Sequence, residues 1–523
     1  MTERVHVVGR TPLSARAVVE LARDRAQLVL DPDPEYRARV RRGADAVREL
    51  VARGDTLYGV TSGFGDSCDQ SVAPALALEL QRNLVRYHGC GTGPALPDDE
   101  ALAVVAVRLA SLARGWSGVR EELLEALVGL VRARVVPRIP ARGSVGASGD
   151  LTPLSYVAAV LCGDREARFE GEELPAAEAL ARAGLSAIEL APKEGLALMN
   201  GTAAMTGMGC MAWARARKLA RWASAITAVL VDGLGSNRGH FDARIDALKP
   251  HPGHRTCAAW IRADLELDAP EPAHAAARLQ DRYSIRCAPH VLGVLLDAAD
   301  LAERTLDTEI NSVNDNPIVD PDRGEFVHGG NFYGGHVALA FDGLKTAIAN
   351  VAGLLDRQLA LVCHPGTNNG LPANLVATKG DARSAHHGFK AMQITASALA
   401  AEALKATMPA SVFSRSTECH NQDVVSMGTH AVHDALRILE LTEETAAIVT
   451  LAACQALDVR GDENRHLRAR ELFAAVRAHV PMLAADRRQD VDIATILALH
   501  QAEALPIGTD DGSSSAGSPS ARA

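Results

Sequence analysis

The chain has 523 residues, of which 47% are hydrophobic and 23% charged, a mixture that builds a large core and argues against a disordered, collagen-like or low-complexity protein. A formal net charge of -10 offers no basic footprint for a polyanion, so nucleic acid is not expected as a partner and a small molecule is. With neither an apolar run of about 20 residues nor a signal pattern over Met1 to Arg10, no membrane span or secretion is expected, and the cytoplasm is the expected location.

The nine cysteines are scattered without close Cys-x-x-Cys pairs and read as reduced thiols. The 18 histidines include no His-Glu-x-x-His spacing, so no metal centre is expected.

In chain order, the first polar and glycine-rich cluster is Tyr58-Gly-Val-Thr-Ser-Gly-Phe-Gly65, followed by Asn83 to Gly93, which contains Tyr87-His88. In Glu121 to Val136, apolar residues at steps of three and four predict an amphipathic helix, stopped by Pro137 and Pro140. Gly143 to Asp150 is a third cluster, dense in Gly and Ser, with a helix start at Asp150 to Pro153, and Asn200-Gly-Thr202 is a fourth. Helical periodicity then governs Met205 to Leu234, His290 to Ile310, Gly335 to Leu361, Gly388 to Ala406 and His430 to Val459. Between these runs lie Gln280 to Arg286, Asn311 to Asn331 and Thr417 to Asp423. The expected class is mainly α: a long-helix bundle over 206–507 after a smaller mixed part over 1–205. The tail from Gly508 to Ala523 is expected to be disordered.

Such clusters have little use in a packed helical core, so they mark where local rules yield to function. Four of the six tyrosines, Tyr58, Tyr87 and Tyr283 within them and Tyr333 two residues beyond Asn331, fall at these clusters, where a hydroxyl can do acid-base work as well as anchor a turn. At Ala147-Ser148-Gly149, attack of the Gly149 nitrogen on the Ala147 carbonyl, with loss of water including the Ser148 hydroxyl, would leave an electrophilic methylidene-imidazolone. Only glycine gives that nitrogen an unhindered approach. On these residues alone, an ordinary turn or an anion-binding loop before a helix is the better reading.

The chain from about Leu57 to Asp458, with all seven clusters in order and Gly-Ala-Ser-Gly-Asp-Leu-Thr-Pro-Leu154 among them, resembles the histidine, phenylalanine and tyrosine ammonia-lyases and aminomutases. The resemblance implies that Ala147, Ser148 and Gly149 form 4-methylidene-imidazol-5-one autocatalytically, with Asn200 stabilising negative charge on the ring. It implies that Tyr58 is the loop base, its pKa lowered by an electropositive site, with Gly59, Gly63 and Gly65 letting the loop close. Tyr283 joins the catalytic set, Arg286 clamps the substrate carboxylate through its guanidinium fork, and Gln280, Asn331 and Phe332 line the site. A homotetramer is also implied, each site drawing on more than one subunit.

For specificity, Gln422 stands where histidine-specific relatives place a glutamate, and a neutral amide gives no ion pair to an imidazole. Tyr87-His88 stands at the family's second selector, and His88 could meet a substrate phenol. The expected activity is therefore a tyrosine 2,3-aminomutase with tyrosine ammonia-lyase activity, yielding β-tyrosine and p-coumarate plus ammonia. The alternatives are a pure tyrosine or phenylalanine lyase, a histidine ammonia-lyase, or an inactive helical binding protein. A fumarase-type lyase shares the long helices, but its Gly-Ser-Ser-x-Met-Pro loop is absent.

Overall fold

The computed structural model describes residues 4–266, 278–461 and 469–508. The expected disordered tail lies, apart from Gly508, outside the described residues. Helix accounts for 60% and strand for 8%, so the fold is mainly α. Packing groups the chain into two compact units, each discontinuous in sequence. The first comprises Met1–Ala214, Asp300–Lys345 and Met408–Leu436, the second Arg215–Ala299, Thr346–Thr407 and Arg437–Ala523. Most of the boundaries fall within the long helices Ala203–Leu234, Ala288–Ile310, Gly335–Cys363 and Gly428–Arg460. At about 1.5 Å per residue, a helix of this length exceeds one core, so its two ends pack in different units. The linear division near residue 205 is not the one these contacts draw.

All strands among the described residues lie in the first unit. They form the parallel pair Arg4–Val8 with Ala26–Leu30, a three-stranded antiparallel sheet of Val136–Pro137, Glu166–Phe169 and Glu172–Pro175, and two short antiparallel pairs. The helix Asp98–Leu112 is buried on every face from Glu100 onward, as its nearly unbroken apolar run requires. The expected helix from Glu121 stops at Ala133 rather than Val136. Arg134 turns left-handed at φ 55°, and Val136 and Pro137 leave to pair with Arg168 and Ala167. Unexpected from the sequence is Pro34–Arg53, which carries complete local signals: the Asp33 side chain accepts from the Tyr36 N–H, Pro34 opens the helix and Gly54 closes it at φ 80°.

The described residues of the second unit form helices and loops without strands. Its buried Arg221 guanidinium meets Asp264 through two bonds of 2.7 Å. Gln358 Nε2 donates to the Ser284 carbonyl at 2.9 Å, fixing the short helix Tyr283–Arg286. The helix Gly335–Cys363 is long and apolar enough to cross a membrane, yet 78% of its most apolar window is buried within the protein, which makes it a core helix.

Candidate active site

Ala147-Ser148-Gly149 occupies a tight turn directly ahead of the helix Leu151–Leu161. Ser148 has φ 49° and Gly149 φ 78°, the left-handed region that costs a side chain energy and that glycine enters freely. The Gly201 N–H donates to the Ser148 carbonyl at 3.2 Å, and the Asp150 N–H to the Gly201 carbonyl at 2.7 Å. A Cβ on Gly149 would collide with that Gly201 carbonyl, so the close approach demands glycine. Asn200 is 5% exposed, and its Oδ1 is buried without a hydrogen-bond partner. A strained turn with no room for a side chain at residue 149, beside an orphaned amide oxygen, fits a self-formed ring at this tripeptide.

Two buried networks brace the turn. Asp150 accepts from Ser144 Oγ at 3.0 Å and Thr429 Oγ1 at 2.5 Å on one oxygen, and from the Met205 N–H at 2.8 Å on the other. Burial raises its pKa, and these donors oppose the rise. Arg108, fully buried, donates from Nη1 to the Asn200 carbonyl at 3.0 Å and to Asn314 Oδ1 at 3.1 Å. Asn314 in turn donates to Thr202 Oγ1 at 2.9 Å. Deeper still, Lys193 Nζ meets Asp315 at 2.8 Å with both side chains at 0% exposure. Arg108, Thr429 and Lys193 were not singled out from sequence, and Asp315 only as part of the Asn311 to Asn331 cluster. Of the first three, Arg108 carried a signal, a lone guanidinium amid the apolar run of its helix.

Tyr58 is half-buried in a turn whose root is pinned rather than loose. Gln81 Nε2 donates to the Gly59 carbonyl at 2.8 Å while its Oε1 accepts the Leu196 N–H at 3.1 Å. The Gly65 N–H donates to Tyr58 Oη at 2.9 Å, and the Asp66 N–H to Glu418 Oε1 at 3.3 Å. The lowered pKa expected for Tyr58 is corrected: burial raises it and the Glu418 carboxylate adds to the rise, against the Gly65 N–H. The His328 ring stands edge-on to Tyr58 at 6.1 Å, which brings the His-Gly-Gly-Asn segment near the base. Within that segment Asn331 is exposed and donates to the Val313 carbonyl at 3.0 Å, and Phe332 is half-buried.

The Asn83 to Gly93 cluster is helical in its first part: Ala77–Tyr87 is a helix with His88 at its C-cap. Tyr87 is 60% exposed, and its ring lies 4.3 Å from that of the half-buried His88. His88 Nδ1 lies 2.9 Å from the Leu84 carbonyl oxygen, which only accepts, so Nδ1 holds the proton and Nε2 of the neutral ring is an acceptor. Burial lowers the His88 pKa and favours that neutral form. Gln422 donates from Nε2 to Ser148 Oγ at 3.2 Å and accepts from Thr417 Oγ1 at 2.9 Å. A short antiparallel bridge between Thr417 and Gln422 holds it there.

The first unit thus gathers Ala147-Ser148-Gly149, Asn200, Tyr58, Tyr87, His88, Asn331, Phe332 and Gln422. Gln280, Tyr283 and Arg286 form a separate group in the second unit. There the Arg286 guanidinium lies 4.7 Å from the Tyr283 ring centroid, its Nε is buried without a partner, and the Tyr283 ring is 71% exposed. Gln280 is exposed, its carbonyl accepting from Arg278 Nε at 3.0 Å. An unpaired guanidinium is open to a carboxylate rather than committed to a structural ion pair.

The aromatic amino acid lyase family model matches residues 13–478. The histidine ammonia-lyase of Sorangium cellulosum is 40% identical over 506 residues, 95% of this chain and 98% of that protein. Among solved structures, the tyrosine aminomutase of Streptomyces globisporus aligns with a TM-score of 0.88 at 34% identity, covering 95% of this chain and 97% of the other. The phenylalanine aminomutase of Pantoea agglomerans aligns at 0.87 and 31%, covering 95% and 98%. With the strained Ala147-Ser148-Gly149 turn, the orphaned Asn200 amide and a match over most of its length, the chain belongs to the aromatic amino acid lyase family.

Proposed function

We propose that this enzyme eliminates ammonia from L-tyrosine to give p-coumarate and re-adds it at the neighbouring carbon to give β-tyrosine. The observation that carries the reading is the fixed tautomer of His88, whose Nδ1 is committed to Leu84 and whose Nε2 is an acceptor. A tyrosine phenol supplies the O–H this acceptor needs, whereas phenylalanine would leave it unpaired. Gln422 supports the same choice, because the amide beside Ser148 carries no charge for an imidazolium.

The family uses a methylidene-imidazolone formed from its own backbone; formed here from Ala147, Ser148 and Gly149, it would supply the electrophile that makes the substrate amine a leaving group. Asn200 Oδ1 is the polar atom available to this ring, and Gln422 Nε2 is a donor beside it. Arg286 binds the substrate carboxylate through two parallel N–H bonds. Tyr58 Oη takes the proton from the β-carbon, the Cα–N bond breaks, and the electron pair becomes the Cα=Cβ double bond. The Gly65 N–H steadies the phenolate charge on Oη before the proton arrives. Contacts of Gly59 with Gln81 and of Asp66 with Glu418 hold both ends of the Tyr58 segment, which favours retention of the unsaturated acid until ammonia returns. A homotetramer accords with this reading, with the Tyr283 side chain 71% exposed on the single chain.

The test is product analysis after incubation with L-tyrosine, L-phenylalanine and L-histidine in separate reactions, resolved by chromatography with mass detection. Early β-tyrosine, before free p-coumarate accumulates, is the expected result; p-coumarate alone identifies a pure lyase. A second reading, histidine as substrate, is favoured by the 40% identity to the histidine ammonia-lyases. Urocanate as the main product would establish it and remove the phenol-binding role from His88.

A further inference from the structure

The selector helix Ala77–Tyr87 ends at His88 with backbone carbonyls that have no partner inside the helix. The Arg86 carbonyl accepts the Gly89 N–H at 3.1 Å and the His88 carbonyl the Cys90 N–H at 2.8 Å, and the Val85 carbonyl is taken up by one side chain. Arg165 donates from Nη2 to the Val85 carbonyl at 2.6 Å and, more weakly, to the Arg86 carbonyl at 3.5 Å. Its Nη1 donates to Ser155 Oγ at 3.0 Å, and that hydroxyl lies 3.2 Å from the His88 carbonyl and 2.7 Å from the Thr152 carbonyl. The guanidinium lies over the Tyr156 ring at 4.3 Å. Gly89 clears the space, because a Cβ there would collide with Arg165 Nη2.

The donor itself is rigidly placed. The Arg165 backbone adopts φ 65°, and its carbonyl accepts the Ala176 N–H at 2.7 Å. Ser155 and Tyr156 belong to the helix Leu151–Leu161, which begins immediately after the Ala147-Ser148-Gly149 turn. A planar fork with five donors can bridge the end of one helix and the side of another, and a positive charge at a helix C-terminus is favourable as well. A lysine would deliver the charge without the fork.

We propose that Arg165 is a specificity-positioning residue: through Ser155 and the Val85 carbonyl it fixes His88 at a set place relative to the Ser148 turn, and so sets the preference for a phenolic over a phenyl substrate. This inference rests on the reading of His88 as the partner of the substrate phenol. Arg165 does not touch the substrate; it acts through the end of the selector helix.

The test compares kcat/KM for L-tyrosine and L-phenylalanine in Arg165→Met, Arg165→Lys, Ser155→Ala and His88→Phe, with thermal melting to verify the fold. Arg165→Met, which keeps an apolar stem over Tyr156, is expected to lower the tyrosine to phenylalanine ratio about tenfold, the worth of one well-made hydrogen bond. That loss falls mainly on KM for tyrosine. Arg165→Lys should recover only part of the ratio, and Ser155→Ala should lower it less than Arg165→Met does. Equal losses for both substrates in Arg165→Met, with the ratio unchanged, would make Arg165 merely structural and overturn the proposal. If His88→Phe itself leaves the ratio unchanged, the selector reading fails and takes the clamp with it. If His88→Phe shifts the ratio and Arg165→Met does not, the clamp alone is overturned.

Discussion

Gln422 reaches Ser148 across 274 positions of sequence, its Nε2 lying 3.2 Å from the serine hydroxyl. An uncharged amide therefore stands beside the atom that leaves when the ring forms. Replacing it by a carboxylate, Gln422→Glu, adds an ion-pair partner for a basic side chain and repulsion toward a substrate carboxylate. Relative kcat/KM for L-histidine over L-tyrosine should rise by about tenfold, a discrimination modest for a single contact. Rates measured for both amino acids check this; an unchanged ratio would remove Gln422 from substrate selection.

The Ser148 turn sets a second expectation. Intact mass of the purified chain should fall short of the sequence mass by two water molecules, and Ser148→Ala should not show that loss. Gly149→Ala should also fail to mature, because its Cβ meets the Gly201 carbonyl and its φ of 78° is strained for alanine. The strain alone costs on the order of 1–3 kcal/mol, and a urea titration of this variant measures it together with the clash.

Tyr58 governs the pH profile. Only the phenolate accepts a proton, and burial lifts the phenol above its ordinary value, so the active fraction grows as pH rises. Below that raised pKa the growth is about tenfold per pH unit, and log kcat/KM should climb through neutrality and continue past about pH 9. Tyr58→Phe should cut kcat by roughly 10²–10⁴-fold, the usual worth of a positioned base. A plateau already reached near neutrality would assign the proton transfer to another group.

The Lys193 to Asp315 pair makes a stability prediction. Both side chains are fully buried, and Ser117 Oγ also donates to Asp315 at 2.9 Å. Lys193→Met strands the carboxylate and should cost about 3–5 kcal/mol, the usual penalty for an uncompensated buried charge. The double variant Lys193→Met with Asp315→Leu should regain much of that loss. Denaturant unfolding of the three proteins gives the comparison, and equal stability of the single and double variants would show that the remaining partners of Asp315 suffice without Lys193.

Local features were the legible ones. The Glu121 helix was readable because Leu123, Leu124, Leu127, Leu130 and Val131 share one face, and all are buried. Its last turn was not, because the left-handed exit at Arg134 serves the pairing of Val136 with Arg168 and of Pro137 with Ala167, far along the chain. The helix Ala77–Tyr87 was passed over because polar Asn83, Arg86 and His88 look like loop residues until its buried face of Ala77, Gln81, Leu84 and Val85 is seen.

By itself, the sequence determined the mainly helical class and the dense Gly and Ser turn from Gly143 to Asp150. Each of these depends on residues within a turn or two of one another, where periodicity and backbone sterics act. Tertiary structure alone decided that Arg108 holds the Asn200 backbone, that burial raises rather than lowers the Tyr58 pKa, and that Arg165 closes the selector helix. Those outcomes depend on which distant groups share a desolvated space, and neither desolvation nor a hydrogen bond between residues some 80 positions apart leaves a period in the chain.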